Sequence, residues 1–363
     1  MSKLFSPIQI GQTSFENRIV IPPMCQYSAI DGKATDWHTI HYGSLAQSGA
    51  ALLIFEATAI CPEGRLSPYD LGLWDDETAK SMTTLVESIK KYSAMPLGIQ
   101  LVHAGRKASM PEPWKENQYI PPSQGGWKTV APSAIAYDSH HDTPKALSLD
   151  EIQTIIKQFI EAAKRADQAG FEVIEIHGAH GYLVHQFLSP LSNQRTDQYG
   201  GSLENRMRFA VEIFKGIRQA VSVEKSVGIR ISATDWVEGG WDLEQSITLC
   251  KTLEKLGCDF IDVSTGALDA RQKIPAGPNY QVPFSAAIKA QVSIPTITVG
   301  LITEPVQAEA IIHTQQADMV AIGRGMLYNP HWPWTAAAEL GAQVTAPPQY
   351  LRSRPHLQKH LFK

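Results

Sequence analysis

Phe171-Glu172-Val173-Ile174-Glu175-Ile176-His177-Gly178-Ala179-His180-Gly181-Tyr182 joins an apolar run directly to a cluster of polar rings. The run 171–176 is short, β-branched and preceded by Ala169-Gly170, which ends a helical pattern, so it reads as a buried strand. Two imidazoles and a phenol then follow where that strand meets a loop, and these are groups that donate hydrogen bonds and move protons. Active sites of α/β proteins are built at such strand ends. Seven more strands of the same kind would make this stretch the mouth of a catalytic barrel.

The rest of the chain supplies them. Apolar runs lie at 17–22 (stopped by Pro22-Pro23), 51–56, 97–101, 173–176, 227–231, 260–264, 296–299 and 319–322. Amphipathic or helix-forming stretches alternate with them at 35–48, 75–92, 150–169, 202–220, 243–256, 284–290, 304–314 and 332–340. Ser148 with Glu151 three residues on forms a capping-box signature ahead of the third of these. The strands read as continuous apolar runs, as expected when both faces are buried. This alternation predicts an α/β protein: a (β/α)8 TIM barrel forming a single domain over 1–363 with long loop insertions. A doubly wound sheet is the alternative, weakened because Pro22-Pro23-Met24-Cys25 stands where a Gly-x-Gly-x-x-Gly turn would follow the first strand. Two connections are unusually long. Residues 104–147, rich in proline and glycine and holding Trp114 and Trp127, read as a lid, a hairpin or a contact surface. The second runs from Gly181 to Gly201, and Arg195-Thr196-Asp197 within it reads as a loop ordered by its own hydrogen bonds.

Composition narrows the function. With 43% hydrophobic and 19% charged residues over 363 positions, the chain has the make-up of a globular protein. A net charge of −4 gives no reason to expect nucleic acid or an anionic membrane as partner. No apolar segment is long enough to span a bilayer, and the N-terminal residues lack the apolar core of a signal peptide, so a cytoplasmic location is expected. The four cysteines form no Cys-x-x-Cys pair, which argues against an iron–sulfur or structural zinc site. Cys250 and Cys258 read as apolar filler. His177 and His180 form a His-x-x-His pair but lack a third ligand nearby, so no metal is expected. His38 and His41, on a helical pattern after Trp37, read as surface or core histidines.

In such barrels the chemistry sits at the C-terminal ends of the strands. Those positions hold Pro22, Pro23, Met24, Cys25 and Tyr27 after the first strand, Ala57 and Thr58 after the second, and Gln100 and His103 on the third. The fourth carries His177, His180 and Tyr182. Arg230, Ser264, Gly300, and Gly323 with Arg324 end the fifth to eighth. The set suits flavin mononucleotide. Glycines allow backbone N–H groups to approach a phosphate, and an arginine pairs with it bidentately. A glutamine amide can both donate to and accept from the pyrimidine edge of an isoalloxazine, and an arginine beside that ring stabilises the negative charge of its reduced form.

Taken together and in order, a series of motifs resembles the Old Yellow Enzyme family, in particular its bacterial, thermophilic-type class of ene-reductases, which includes xenobiotic reductases. They run from Leu4-Phe5-Ser6-Pro7-Ile8, Asn17-Arg18-Ile19-Val20 and Pro23-Met24-Cys25 through Ile99-Gln100-Leu101 and His103-Ala104-Gly105-Arg106-Lys107 to Ala131-Pro132-Ser133. They continue in His177 to Tyr182, Phe187-Leu188-Ser189-Pro190, 195–202 and Glu204-Asn205-Arg206, and end in Gly323-Arg324 and Pro348-Gln349-Tyr350.

The resemblance implies tightly bound, non-covalent FMN, reduced by NADPH or NADH and passing a hydride to the activated C=C bond of α,β-unsaturated carbonyl or nitro compounds. By position it implies that Pro22, Pro23, Met24, Cys25, Ala57 and Gln100 contact the flavin ring and that Arg230 lies at its pyrimidine end. Gly300, Gly323 and Arg324 would hold the phosphate. His177 and His180 would bind the acceptor oxygen, Tyr182 would supply a proton, Tyr27 would position the ligand, and Cys25 would tune the redox potential. Gly178-Ala179, the spacer between the histidines, is expected to tolerate change. Arg352 matches an arginine that this class extends into the neighbouring subunit's site, so a homodimer or homotetramer is expected, with 341–363 as the contacting segment. Two other readings stand beside this one. A long-chain relative reducing dienoyl thioesters would need a cysteine cluster and further domains, neither of which the sequence shows. A flavin-binding protein without turnover differs from a reductase only in failing to pass electrons on.

Overall fold

The computed structural model describes residues 2–115 and 119–363. Eight parallel strands close a barrel: β1 (Ile19–Ile21), β2 (Leu52–Ala59), β3 (Leu97–Val102), β4 (Val173–Gly178), β5 (Ser226–Ser232), β6 (Phe260–Ser264), β7 (Thr296–Thr298) and β8 (Met319–Ala321). Closure comes from β8 pairing with β1, Val320 opposite Ile19 and Ala321 opposite Val20. The (β/α)8 expectation is met. Every barrel strand is buried along its whole length.

The surrounding helices start and stop where their caps dictate. Helix α3 (Leu149–Ala169) opens on Ser148, whose hydroxyl accepts from Glu151 N–H while the Glu151 carboxylate accepts from Ser148 N–H, and it closes on left-handed Gly170. Its buried face is Ile152, Ile155, Ile156, Phe159, Ala162, Ala163 and Ala166, the spacing of one side of a helix. Ser202 and Asp242 cap the starts of α5 (Leu203–Ala220) and α6 (Leu243–Lys255), their side-chain oxygens accepting from Asn205 N–H and Gln245 N–H. The remaining long helices are α1 (Asp36–Leu45), α2 (Asp76–Lys90), α7 (Val282–Lys289), α8 (Pro305–His313) and α10 (Trp332–Glu339). Two short helices escape the periodicity reading, α4 (Leu183–Leu188) and α9 (Arg324–Tyr328), because each is too short to show a repeat.

The lower half of the barrel interior is apolar. Val20, Leu52, Ile54, Val173, Phe260, Ile297 and Met319 pack there with Ile10 and Phe15. The last two belong to an antiparallel hairpin, Ile8–Ile10 with Thr13–Phe15, that the sequence reading does not anticipate. Ser226 Oγ donates to Ile10 O at 2.8 Å and ties the hairpin to the start of β5.

The two long connections are ordered by polar contacts. In 104–147, Arg106 donates to the carbonyls of Ile135, Ala136 and Leu268, and Val130–Ala131 pairs with Lys145–Ala146. In 181–201, Arg195 pairs with Asp197 and donates to Pro132 O at 2.8 Å and Leu147 O at 2.6 Å, so this loop also holds the other one.

Candidate active site

At the C-terminal mouth of the barrel lies a cavity of about 430 Å³. Pro22, Pro23, Met24, Cys25, Tyr27, Ala57, Gln100, His177, His180, Tyr182, Arg230, Gly300, Gly323 and Arg324 all line it, so the strand-end reading brings these residues together. His103 and Thr58 are buried elsewhere: His103 Nδ1 accepts from Gly105 N–H, and the Thr58 hydroxyl turns back to Glu56 O. Arg352 lies on an exposed 3-10 turn, Pro348–Ser353, outside this chain's own cavity. The sequence reading misses Tyr280, Gln281 and the 301–303 segment, which also line the cavity. Gln281 is the N-cap position of α7, three residues before the point at which the apolar pattern starts that helix.

One wall is built by the turn after β4. His177 is the penultimate residue of the strand, and His180 follows with φ +56°, then Gly181 with φ +74°. A Cβ on Gly181 would lie 2.3 Å from Ala267 O, so only glycine fits this left-handed position. Gly178 is also more constrained than expected, since a Cβ there would meet Ile229 Cδ1 at 2.8 Å and Arg230 O at 2.9 Å. The turn is anchored from three sides. His180 N–H donates to Ser232 Oγ at 3.0 Å, and Lys107 Nζ donates to His180 O and Ala267 O, both at 2.9 Å. Gly181 N–H donates to His185 Nδ1 at 2.9 Å, which puts the His185 ring hydrogen on Nε2, facing Asp235 Oδ1 at 2.8 Å. Ser189 Oγ and Trp241 N–H complete the partners of the Asp235 carboxylate. No sequence motif marks the His185–Asp235 pair, because its members are fifty positions apart.

The result is a corner of three rings. His177 and His180 stand 5.2 Å apart at 84°, and His177 and Tyr182 4.8 Å apart at 89°. Burial, and after it the nearby Arg230, holds both histidine pKa values well below the usual imidazole range, so both rings are neutral. Burial pushes the Tyr182 phenol up and keeps its proton on. Lys107 is itself brought down to about 8 by burial and by Arg106, and it sits 5.4 Å from the centre of the Tyr182 ring.

The opposite wall is the segment after β1. Buried Glu56 holds it: one carboxylate oxygen accepts from Gln26 N–H at 2.8 Å and the other from Tyr42 Oη at 2.9 Å. His38, a core histidine whose Nδ1 accepts from Thr35 N–H, places Nε2 3.4 Å from the same carboxylate. A bulge in β2 skips Glu56 in the ladder and brings Ala57 opposite Gln100. Burial and the carboxylates of Asp70 and Glu56 push the Cys25 thiol up, so it stays protonated and is a poor nucleophile.

The floor is polar. Gln100 Nε2 donates to Glu175 Oε1 at 2.7 Å, and Arg230 Nε lies 3.1 Å from Asp262 Oδ2. One buried cation thus faces two buried carboxyls. Burial, then the Asp262 charge, raises Glu175 to about 8, so at neutral pH the floor keeps a proton on Glu175.

The chain matches the family model described as "NADH:flavin oxidoreductase / NADH oxidase family" over residues 3–343. It is 45% identical to an NADPH dehydrogenase of Halalkalibacterium halodurans, covering 97% of this chain and 98% of that one. Among solved structures it resembles morphinone reductase in complex with tetrahydroNAD (30% identity, TM-score 0.78, 96% of this chain and 94% of that one). It also resembles the old yellow enzyme homologue from Zymomonas mobilis (27% identity, TM-score 0.77, 95% and 94%). The chain therefore belongs to the NADH:flavin oxidoreductase / NADH oxidase family, as an FMN oxidoreductase of the Old Yellow Enzyme type that draws its reducing equivalents from a nicotinamide.

Proposed function

We propose that this protein is an NADPH-dependent ene-reductase acting on α,β-unsaturated carbonyl or nitro compounds. The observation that carries the reading is the corner of His177, His180 and Tyr182 on one side of a cavity whose floor holds Gln100 and Arg230.

The residues present fit FMN. The terminal nitrogens of Arg230 have no hydrogen-bond partner in the protein among the described residues, although the side chain lines the cavity and is only 7% exposed. A buried guanidinium of this kind suits the oxygen-bearing edge of an isoalloxazine. Gln100, with one N–H committed to Glu175, has its amide oxygen left for the same edge. Pro22, Pro23, Met24, Cys25 and Ala57 would face the ring, and Gly300, Gly323 and Arg324 would take the phosphate. When bound, FMN supplies the hydride that the nicotinamide delivers.

The protein's own part follows from charge. Adding a hydride to the β-carbon of an enone moves negative charge to the carbonyl oxygen. Two neutral imidazole N–H donors stabilise that oxygen more in the transition state than in the ground state, and donors of this kind contribute about 3–4 kcal/mol each when removal is measured elsewhere. Tyr182, kept protonated by burial, holds the proton that the α-carbon takes up. Tyr27, whose ring meets that of Trp114 of the 104–147 insertion edge to face with centroids 5.6 Å apart, would position the acceptor. Arg352 would enter the neighbouring site of a homodimer or homotetramer through the 341–363 segment.

The test is spectroscopic. Purified holoprotein should bleach with NADPH in the absence of oxygen and regain its colour on adding 2-cyclohexenone. Failure of the second step with several enones and nitroalkenes would remove the ene-reductase reading and leave a flavin protein without this turnover. The double variant His177→Ala, His180→Ala should keep FMN and lose the long-wavelength band formed with 4-hydroxybenzaldehyde.

A further inference from the structure

The two histidines differ in what holds them. His177 Nδ1 accepts from Ala179 N–H at 3.3 Å, which leaves the ring hydrogen on Nε2. His180 is turned the other way: Nε2 lies 2.7 Å from Ser264 Oγ, and Nδ1 has no partner in the protein among the described residues. Ser264 ends β6 and is buried. Its hydroxyl also lies 3.2 Å from Gln281 Oε1, an oxygen that already accepts from Thr265 Oγ1 at 2.7 Å. The Gln281 amide is oriented by its Nε2, which donates to Val299 O at 3.0 Å.

Ser264 has a single hydroxyl hydrogen, so it donates either to His180 or to Gln281. The distances favour His180. A separation of 2.7 Å is the common length for an O–H donor, N–H donors sit closer to 2.9–3.0 Å, and 3.2 Å is long for an O–H···O bond. We propose that Ser264 is a positioning residue whose hydroxyl donates to His180 Nε2 and so fixes the His180 tautomer with its hydrogen on Nδ1. This rests on the reading of His180 as a ligand of the acceptor oxygen.

The consequence is a matched pair of donors. A neutral imidazole has one hydrogen, so the tautomer decides whether its free nitrogen offers an N–H or a lone pair. With Ser264 donating, His177 offers Nε2–H and His180 offers Nδ1–H to one oxygen. With the hydrogen on His180 Nε2 instead, a lone pair would face that oxygen and repel the charge developing there.

The test uses the FMN-loaded protein labelled with 15N-histidine. Long-range 1H–15N correlation, with the His180→Gln variant to assign the signals, is expected to show the Nδ1–H tautomer at His180. Ser264→Ala should shift His180 toward Nε2–H and weaken 4-hydroxybenzaldehyde binding roughly tenfold, while Ser264→Thr, which keeps the hydroxyl, should restore both. An Nε2–H tautomer in the wild-type protein would overturn the proposal, as would an unchanged tautomer and affinity in Ser264→Ala. The wild-type spectrum decides even if a variant does not fold. Phenol binding that survives the loss of both histidines would sink the functional reading instead, whatever the tautomer.

Discussion

The same eight strands build two interiors of opposite character. Toward their N-terminal ends the barrel is filled by Val20, Leu52, Ile54, Val173, Phe260, Ile297 and Met319 and closed by the Ile8–Phe15 hairpin. Toward their C-terminal ends the inward positions become Gln100, Glu175, Arg230 and Asp262, and then the rings and glycines of the mouth. The lower half supplies the folding free energy through apolar burial. The upper half holds charges that cost stability and survive because they pair with one another. The difference between Val173 and His177, four residues along one strand, is the difference between holding the barrel together and equipping it.

That division can be broken in graded steps. The largest effect is expected for Phe260→Ala: its ring packs over the Cα of Gly228, and truncation should cost about 3–5 kcal/mol in denaturant unfolding. An unchanged midpoint would show that the lower interior is not close-packed. Arg324→Ala should leave unfolding of the apoprotein nearly untouched while weakening FMN binding roughly 10- to 100-fold in a fluorescence titration, the loss of a charge-assisted contact. If FMN affinity holds and stability falls, the two halves are not separable in this way. Gly178→Ala should cost about 1–3 kcal/mol, because the new methyl must displace Ile229 or the Arg230 carbonyl.

The floor can also be tested through a pH dependence. Glu175 carries a folded-state pKa raised to about 8, above its unfolded value of about 4.3, so the folded protein binds more protons than the unfolded chain between those values. Stability therefore falls as pH rises through that window and levels off above it. Glu175→Gln removes the titration, and its unfolding curve should gain on the wild type from about pH 4.3 to about pH 8. Parallel curves would place the proton elsewhere in the floor.

Much of this architecture was legible in the chain. The apolar runs and helical spacings place all eight strands, and reading only the strand ends collects the residues of one cavity. Two kinds of feature were not legible. Short elements such as Leu183–Leu188 and the Ile8–Phe15 hairpin carry too few residues to show a period. Long-range polar pairs, such as His185 with Asp235, Glu56 with Gln26, and Ser264 with His180, join positions far apart in sequence, and each looks unremarkable alone. Glu175 shows the limit well. Within the apolar run nothing singles it out, but the barrel turns it inward beside Gln100. The crowding at Gly178 was hidden for a similar reason, since it comes from Ile229 and the Arg230 carbonyl of the neighbouring strand.

Lys107 gives the 104–147 insertion a fixed root. Its ammonium group fastens the insertion to the β4 turn at His180 and to the β6 loop at Ala267, only a few residues after β3 ends. Exchanging the part of the insertion that follows this lysine would leave its contacts to His180 and Ala267, and with them the histidine corner, in place.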